Sequence, residues 1–274
     1  MDLGYINYMN CYPFYYHMFE KEPCDDITVV PDIPSNLNSM LADGTLTMSP
    51  ISAAAYADME DDVVLLPDFC LSSIGYVRSV VLKSRVPIED LDGKRLGLSS
   101  ASRTSVVLLK ILLQNYYHIK PLYLPTSPNP SLEDVDAALV IGNDAMLPSK
   151  EPVPYIYDLG DLWLRKTGFP VVFAVFALRE SRIEKYHQEI KQVVRSYYRS
   201  LECLETDRDT LIQKAKARYP EITYDVDTYY SLLKFNFTEE LKNALAFYLF
   251  IAGEMDLLPK VKNLKYISVD VQGE

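Results

Sequence analysis

Histidine, cysteine and basic residues are scarce in this chain, and each shortage excludes a class of chemistry. The three histidines, His17, His118 and His187, stand far apart without HExxH or similar spacing. A metal site would need ligands gathered from distant segments, so none is expected. The four cysteines, Cys11, Cys24, Cys70 and Cys203, have no CxxC spacing. That argues against a zinc ribbon or redox pair and reads as plain reduced thiols. Lys and Arg total 27 against 38 Asp and Glu, a formal charge of −11. Nucleic-acid affinity comes largely from cations displacing counterions, so nucleic acid is not an expected partner. P-loop, dinucleotide glycine fingerprint, paired acidic motif and Ser-His-Asp arrangement are all missing, and no cofactor is expected. No apolar run approaches the roughly 18 residues of a membrane helix, the nearest being residues 170–178. No membrane association is expected. The opening Met1-Asp2-Leu3-Gly4-Tyr5 has neither the basic nor the apolar segment of a secretion signal, and the expected location is the cytoplasm.

What is present is enough apolar material, 49% of 274 residues, to fill two ordinary cores. Short apolar runs alternate with helical periodicity, the pattern of βα units, so the expected class is α/β with mainly parallel sheets flanked by helices. Strands are predicted at residues 2–6, 27–31, 46–49, 63–66, 76–83, 95–98, 122–124, 137–141 and 171–178. Helices are predicted at 13–19, 35–41, 51–59, 102–117 and 158–166, and nearly all of the chain after Ser181 reads as helix. Crossings near residues 80–82 and 172–174 imply a discontinuous first domain. The expected division is 1–80 and 174–274 in one lobe, the latter with the C-terminal helices, and 81–173 inserted as the second. This is the layout of a type 2 periplasmic binding protein, with a ligand cleft between two lobes.

Three turns place hydroxyl or amide side chains where an apolar run ends and a helical pattern begins. They are Tyr5-Ile6-Asn7-Tyr8-Met9-Asn10, Met48-Ser49-Pro50-Ile51-Ser52 and Leu98-Ser99-Ser100-Ala101-Ser102-Arg103-Thr104-Ser105. A helix start offers unpaired N–H groups and partial positive charge, so these turns read as carboxylate or phosphate cradles at the carboxyl ends of strands. The same residue types are also ordinary N-caps, and each turn taken singly is open to that reading.

The segment Gly4-Tyr5-Ile6-Asn7-Tyr8-Met9-Asn10-Cys11-Tyr12-Pro13 resembles the opening of the chorismate dehydratases of the futalosine route to menaquinone. Further likenesses are Ser49-Pro50-Ile51-Ser52, Gly75-Tyr76-Val77-Arg78-Ser79-Val80, Ser102-Arg103-Thr104-Ser105, Asp136-Ala137-Ala138-Leu139-Val140-Ile141-Gly142, Asp158-Leu159-Gly160 with Trp163, and Thr167-Gly168-Phe169-Pro170-Val171-Val172. The chain departs from that pattern at Asn143, where an aspartate is expected, and at Phe176, where tryptophan is frequent.

The resemblance implies conversion of chorismate to 3-[(1-carboxyvinyl)oxy]benzoate with loss of water, without metal or cofactor. It implies that Asn10 and Ser79 act at the reacting centre. Ser102, Arg103, Thr104 and Ser105 would bind one carboxylate, Ser49, Ile51 and Ser52 the other, and Asn143 would also line the substrate site. No side chain offers itself as general base, so the substrate's own enolpyruvyl carboxylate is the expected proton acceptor. Two alternatives stand beside this reading: a non-catalytic binding protein for an aromatic or dicarboxylic metabolite, and the sibling enzyme that cleaves cyclic dehypoxanthine futalosine. The sibling carries a His-Glu pair after the strand at 137–141, where this chain has Gly142-Asn143-Asp144.

Overall fold

The computed structural model describes residues 1–127, 130–149 and 152–267. In chain order the elements are β1 (Asp2–Ile6), α1 (Tyr12–Glu20), β2 (Thr28–Asp32), α2 (Pro34–Ala42), β3 (Met48–Ser52), α3 (Tyr56–Met59), β4 (Val63–Ser73) and β5 (Val80–Ser84). Then come β6 (Arg95–Ser99), α4 (Arg103–Ile111), β7 (Leu122–Thr126), β8 (Ala137–Ile141), α5 (Gly142–Met146), β9 (Tyr155–Asp158), α6 (Leu159–Thr167) and β10 (Val171–Arg179). The chain ends through α7 (His187–Thr206), α8 (Arg208–Arg218), α9 (Val226–Leu232), β11 (Leu233–Asn236) and α10 (Glu239–Glu254). Residues 268–274, which close the expected third segment, lie outside the described residues.

Two sheets form, one in the order β11-β4-β10-β3-β1-β2 and one in the order β7-β6-β8-β5-β9. The chain passes from the first to the second between β4 and β5 and returns between α6 and β10. Both passages contain residues with positive φ, Gly75 at 81° and Arg78 at 70° in the first and Gly168 at 79° in the second.

The sheets are mixed rather than mainly parallel. β1 runs parallel to β2 and β3, and β6 parallel to β7 and β8, as βα units require. β5 is antiparallel to β8 and β9, and β10 to β3 and β4. The reason is where these strands start. Val80 opens β5 opposite Ile141, the last residue of β8, and Val171 opens β10 opposite Ser73, the last residue of β4. Each crossing strand therefore enters its sheet from the end at which its neighbour finishes. Antiparallel β11 adds an edge to β4, in a stretch expected to be helical.

Other boundaries move for local reasons. The strand expected over residues 76–83 starts only at Val80, because the Val77 and Arg78 N–H groups donate to the Asp158 carboxylate and not to a neighbouring strand. The helix expected over 51–59 begins later. Ser49, Pro50, Ile51 and Ser52 pair with β10 as strand, and α-helix starts at Tyr56. The long helix expected over 102–117 is α4 followed by one wide π-helical turn, residues 112–116.

The first lobe's core is aromatic. Phe14 of α1 meets Phe176 of β10 with ring centroids 4.5 Å apart, and Tyr197 of α7 closes on both at 5.8 and 5.2 Å. Such rings bury large apolar areas at low rotamer entropy and hold the layer under the first sheet rigid. Phe176 thus belongs to this core.

Candidate functional site

The carboxyl ends of β1, β3 and β8 converge on a narrow slot between the sheets. Its walls include Tyr8, Asn10, Ser52, Leu71 and Phe173 from the first lobe, Ser102, Ser105, Ile141 and Gly142 from the second, and Val77 and Ser79 from the first crossing. The space open to the centre of a water molecule is about 40 Å³, so the walls stand close together. No His, Asp, Glu, Lys or Arg is among the lining residues. Among the described residues no group of three or more His, Cys, Asp or Glu side chains is placed to hold a metal ion.

Five residues singled out from sequence reach this slot: Asn10, Ser52, Ser79, Ser102 and Ser105. Ser102 is the N-cap of α4, its hydroxyl accepting the Ser105 N–H at 3.4 Å and lying 3.2 Å from the Ser105 hydroxyl. The Ser102 and Ser105 side chains therefore line the slot at the start of α4, where a helix's positive end favours a carboxylate.

The other five are occupied elsewhere. Ser49 donates its hydroxyl to its neighbour's carbonyl, Pro50 O, at 2.8 Å, and packs where a Cβ on Gly4 would overlap it. Ile51 is fully buried in the strand. Arg103 turns outward to pair with Asp58. Thr104 donates to Phe173 O at 3.0 Å and accepts the Ala54 N–H at 3.1 Å, joining α4 to the first lobe. Asn143 accepts the Met9 N–H through Oδ1 at 2.9 Å, holding the turn before Asn10 against α5.

Beside that contact, Gly142 adopts φ of 61°, and a Cβ there would meet the Tyr8 ring at 2.6 Å. Only glycine lets the backbone of α5 approach Tyr8 so closely. Its N–H donates to Ser79 O at 2.7 Å, which fixes the segment before β5. Asp158 holds the same segment from the other side, accepting Arg78 N–H at 2.7 Å while also capping α6 through Asp161 N–H. Burial pushes the Asp158 carboxyl above the usual range, against the opposing pull of those N–H donors.

Three buried polar atoms around the slot have no hydrogen-bond partner: Asn10 Oδ1, Ser52 Oγ and the Tyr229 hydroxyl. Leaving such a group unpaired costs about 1–3 kcal/mol, a cost that Trp163 Nε1 and the Tyr266 hydroxyl carry as well, away from the slot walls. Tyr229 is fully enclosed on α9. Burial pushes its pKa far up, while the Ser79 hydroxyl and Asn10 amide, near but short of hydrogen-bond geometry, pull it down. Sequence reasoning missed Tyr229 because residues 226–232 read only as part of a long helical region.

Comparison with known proteins places these features in context. The family model described as menaquinone biosynthesis matches residues 1–254. A chorismate dehydratase of Thermus thermophilus is 32% identical over 194 residues, 65% of this chain and 69% of that protein. A 1,4-dihydroxy-6-naphtoate synthase of the same organism is 24% identical over 220 residues, 80% of each chain. Among solved structures, a protein of Archaeoglobus fulgidus is similar with a TM-score of 0.74 at 19% identity, over 94% of this chain and 98% of that one. The periplasmic aliphatic sulphonate binding protein of Escherichia coli follows the same path with a TM-score of 0.62 at 12% identity, over 98% of this chain and 93% of that one. The fold is accordingly that of the periplasmic binding proteins. No helix among the described residues is long and apolar enough to cross a membrane.

Proposed function

Since the chain belongs to the menaquinone biosynthesis family, we propose that it dehydrates chorismate to 3-[(1-carboxyvinyl)oxy]benzoate. The observation that carries this reading is the slot itself: neutral donors, two unpaired buried polar atoms on Asn10 and Ser52, and no His, Asp, Glu, Lys or Arg among its walls. Chorismate brings two carboxylates and needs only a proton and a hydroxide removed, with aromatisation supplying the driving force.

In this reading the start of α4, with Ser102 and Ser105, holds one carboxylate, and Ser52 contributes to holding the other. The ring lies between apolar walls such as Leu71, Val77 and Phe173. The enolpyruvyl carboxylate removes the proton from the ether-bearing ring carbon, and the electron pair spreads through the ring alkene towards the ring acid. Asn10 and Ser79 assist departure of the neighbouring hydroxide, which leaves with that proton as water. Placing the internal base against its proton is worth several kcal/mol, a contribution the protein makes by geometry alone. The slot is too narrow to admit the ring as it stands, so the lobes part about the Gly75–Arg78 and Gly168 passages and close over the substrate.

The sibling reading, cleavage of cyclic dehypoxanthine futalosine, calls for a histidine base. His17, His118 and His187 are all absent from the slot walls. Incubating the purified chain separately with chorismate and with cyclic dehypoxanthine futalosine, then identifying products by mass and ultraviolet absorbance, separates the readings. A benzoate ether from chorismate is the expected result. A naphthoate from the futalosine derivative contradicts it, and binding of chorismate without turnover favours a binding protein.

A further inference from the structure

Where the first crossing meets α5 and the segment before α9, a groove opens in which the space for the centre of a water molecule is about 400 Å³, far more than in the slot. Two cations line it, Arg78 and Lys83, and no Asp or Glu does. With 38 acidic residues against 27 basic, a hollow walled by positive charge alone runs against the balance of the chain. Arg78 lies over the Tyr224 ring, 5.4 Å from its centroid, and among the described residues neither cation forms an ion pair. Burial holds the Lys83 pKa below the usual lysine range and the Arg78 charge lowers it further, while Asp144, which is not among the groove's walls, pulls it up. Arg78 also keeps a φ of 70°, which glycine adopts freely and arginine only at a cost. An arginine held there against that cost points to a use for its side chain.

We propose that this groove is a second binding site, separate from the slot, for a small aromatic dicarboxylate. Arg78 and Lys83 take the carboxylates, the planar guanidinium through paired N–H donors and the ammonium as a point charge. The hydroxyls of Ser149 and Thr223, both on exposed parts of the wall, supply further donors. The ring covers Met146, Val153 and Ile156, the last of which is 52% exposed in the free chain. A mineral anion would satisfy the two charges and leave that apolar surface bare. None of these residues lines the slot, so the groove binds its ligand whether or not chorismate is the slot's substrate.

Isothermal titration with isophthalate, benzoate and inorganic phosphate, in about 0.15 M sodium chloride to screen diffuse attraction, tests the site. Isophthalate is expected to bind the wild-type chain roughly 10-fold more tightly than benzoate, which offers one carboxylate to two cations, and more tightly than phosphate, which offers no ring. Lys83→Gln and Arg78→Gln are each expected to weaken isophthalate binding roughly 10-fold, whereas Lys83→Arg, which keeps the charge, retains most of it. Lys83→Gln removes a charge that burial already disfavours, so its melting temperature stays at or above that of the wild type and its loss of binding is not a loss of fold. No binding of isophthalate by the wild-type chain overturns the proposal, and so does binding that both glutamine variants leave unchanged, which would put the ligand elsewhere. Phosphate bound as tightly as isophthalate, and weakened by the same variants, overturns the aromatic ligand in favour of a mineral anion.

Discussion

Asn143 Oδ1 accepts the Met9 N–H at 2.9 Å, while the Tyr230 hydroxyl donates to Met9 O at 3.0 Å from the opposite side. Met9 is thus gripped by Asn143 of α5 on the second sheet's side and by Tyr230 of α9 on the first's. The next residue is Asn10, so its place in the slot depends on the two lobes being together.

Asn143→Ala therefore loosens the turn that carries Asn10. The expected loss is about 10- to 100-fold in turnover of chorismate, with about 1 kcal/mol of stability, measured by steady-state kinetics and thermal melting. Asn143→Asp keeps an acceptor for the Met9 N–H and retains most of the activity. Equal losses from both substitutions would show that Asn143 meets the substrate through its amide nitrogen instead.

Arg103 is the one cation among the residues singled out from sequence, yet it pairs with Asp58 outside the slot, each side chain more than a third exposed. Exposed pairs contribute little, about 0–1 kcal/mol. Arg103→Gln is expected to leave chorismate turnover close to wild type and to shift stability by about 0.5 kcal/mol or less, by the same measurements. A collapse of kcat/KM would place the guanidinium on a substrate carboxylate.

The pH dependence follows from what lines the slot. With no histidine or carboxylate side chain there, and with the Tyr229 pKa raised so that its protonated form persists to higher pH than a free phenol, kcat is expected to be flat between about pH 6 and 9. A limb near about 6.5, the ordinary range of histidine, would reveal a base that the slot walls do not contain.

If the enolpyruvyl carboxylate is the proton acceptor, a chorismate analogue esterified at that group binds but turns over poorly. Product formation followed by mass spectrometry measures this. Turnover close to that of chorismate would mean that a protein group takes the proton.

How far this site was legible beforehand depends on the range of the forces that build it. β1 and β8 fall where local patterning puts them, residues 2–6 and 137–141, and the Ser102 cap is a local signal that the fold keeps. Ile51 and Ser52 were expected to open a helix because a proline between hydroxyl residues reads as a helix start, whereas pairing with β10 holds them in strand. Arg103 pairs with Asp58, which lies on a segment distant in sequence and so leaves no local signal. Thr104 and Asn143 carry the polar chemistry expected of them but spend it on joining the lobes. Tyr229 was invisible because nothing local separates it from the chain's many core tyrosines; only its enclosed, unpaired hydroxyl beside Asn10 and Ser79 does so.

The most direct test of the account is a structure of the chain with 3-[(1-carboxyvinyl)oxy]benzoate bound. The account predicts the ring between Asn10 and Ser79, one carboxylate on the α4 amides with Ser102 and Ser105, the other within reach of the Ser52 hydroxyl, and partners for Asn10 Oδ1 and the Tyr229 hydroxyl. A product seated outside the slot, or inside it with those polar atoms still unpaired, contradicts it.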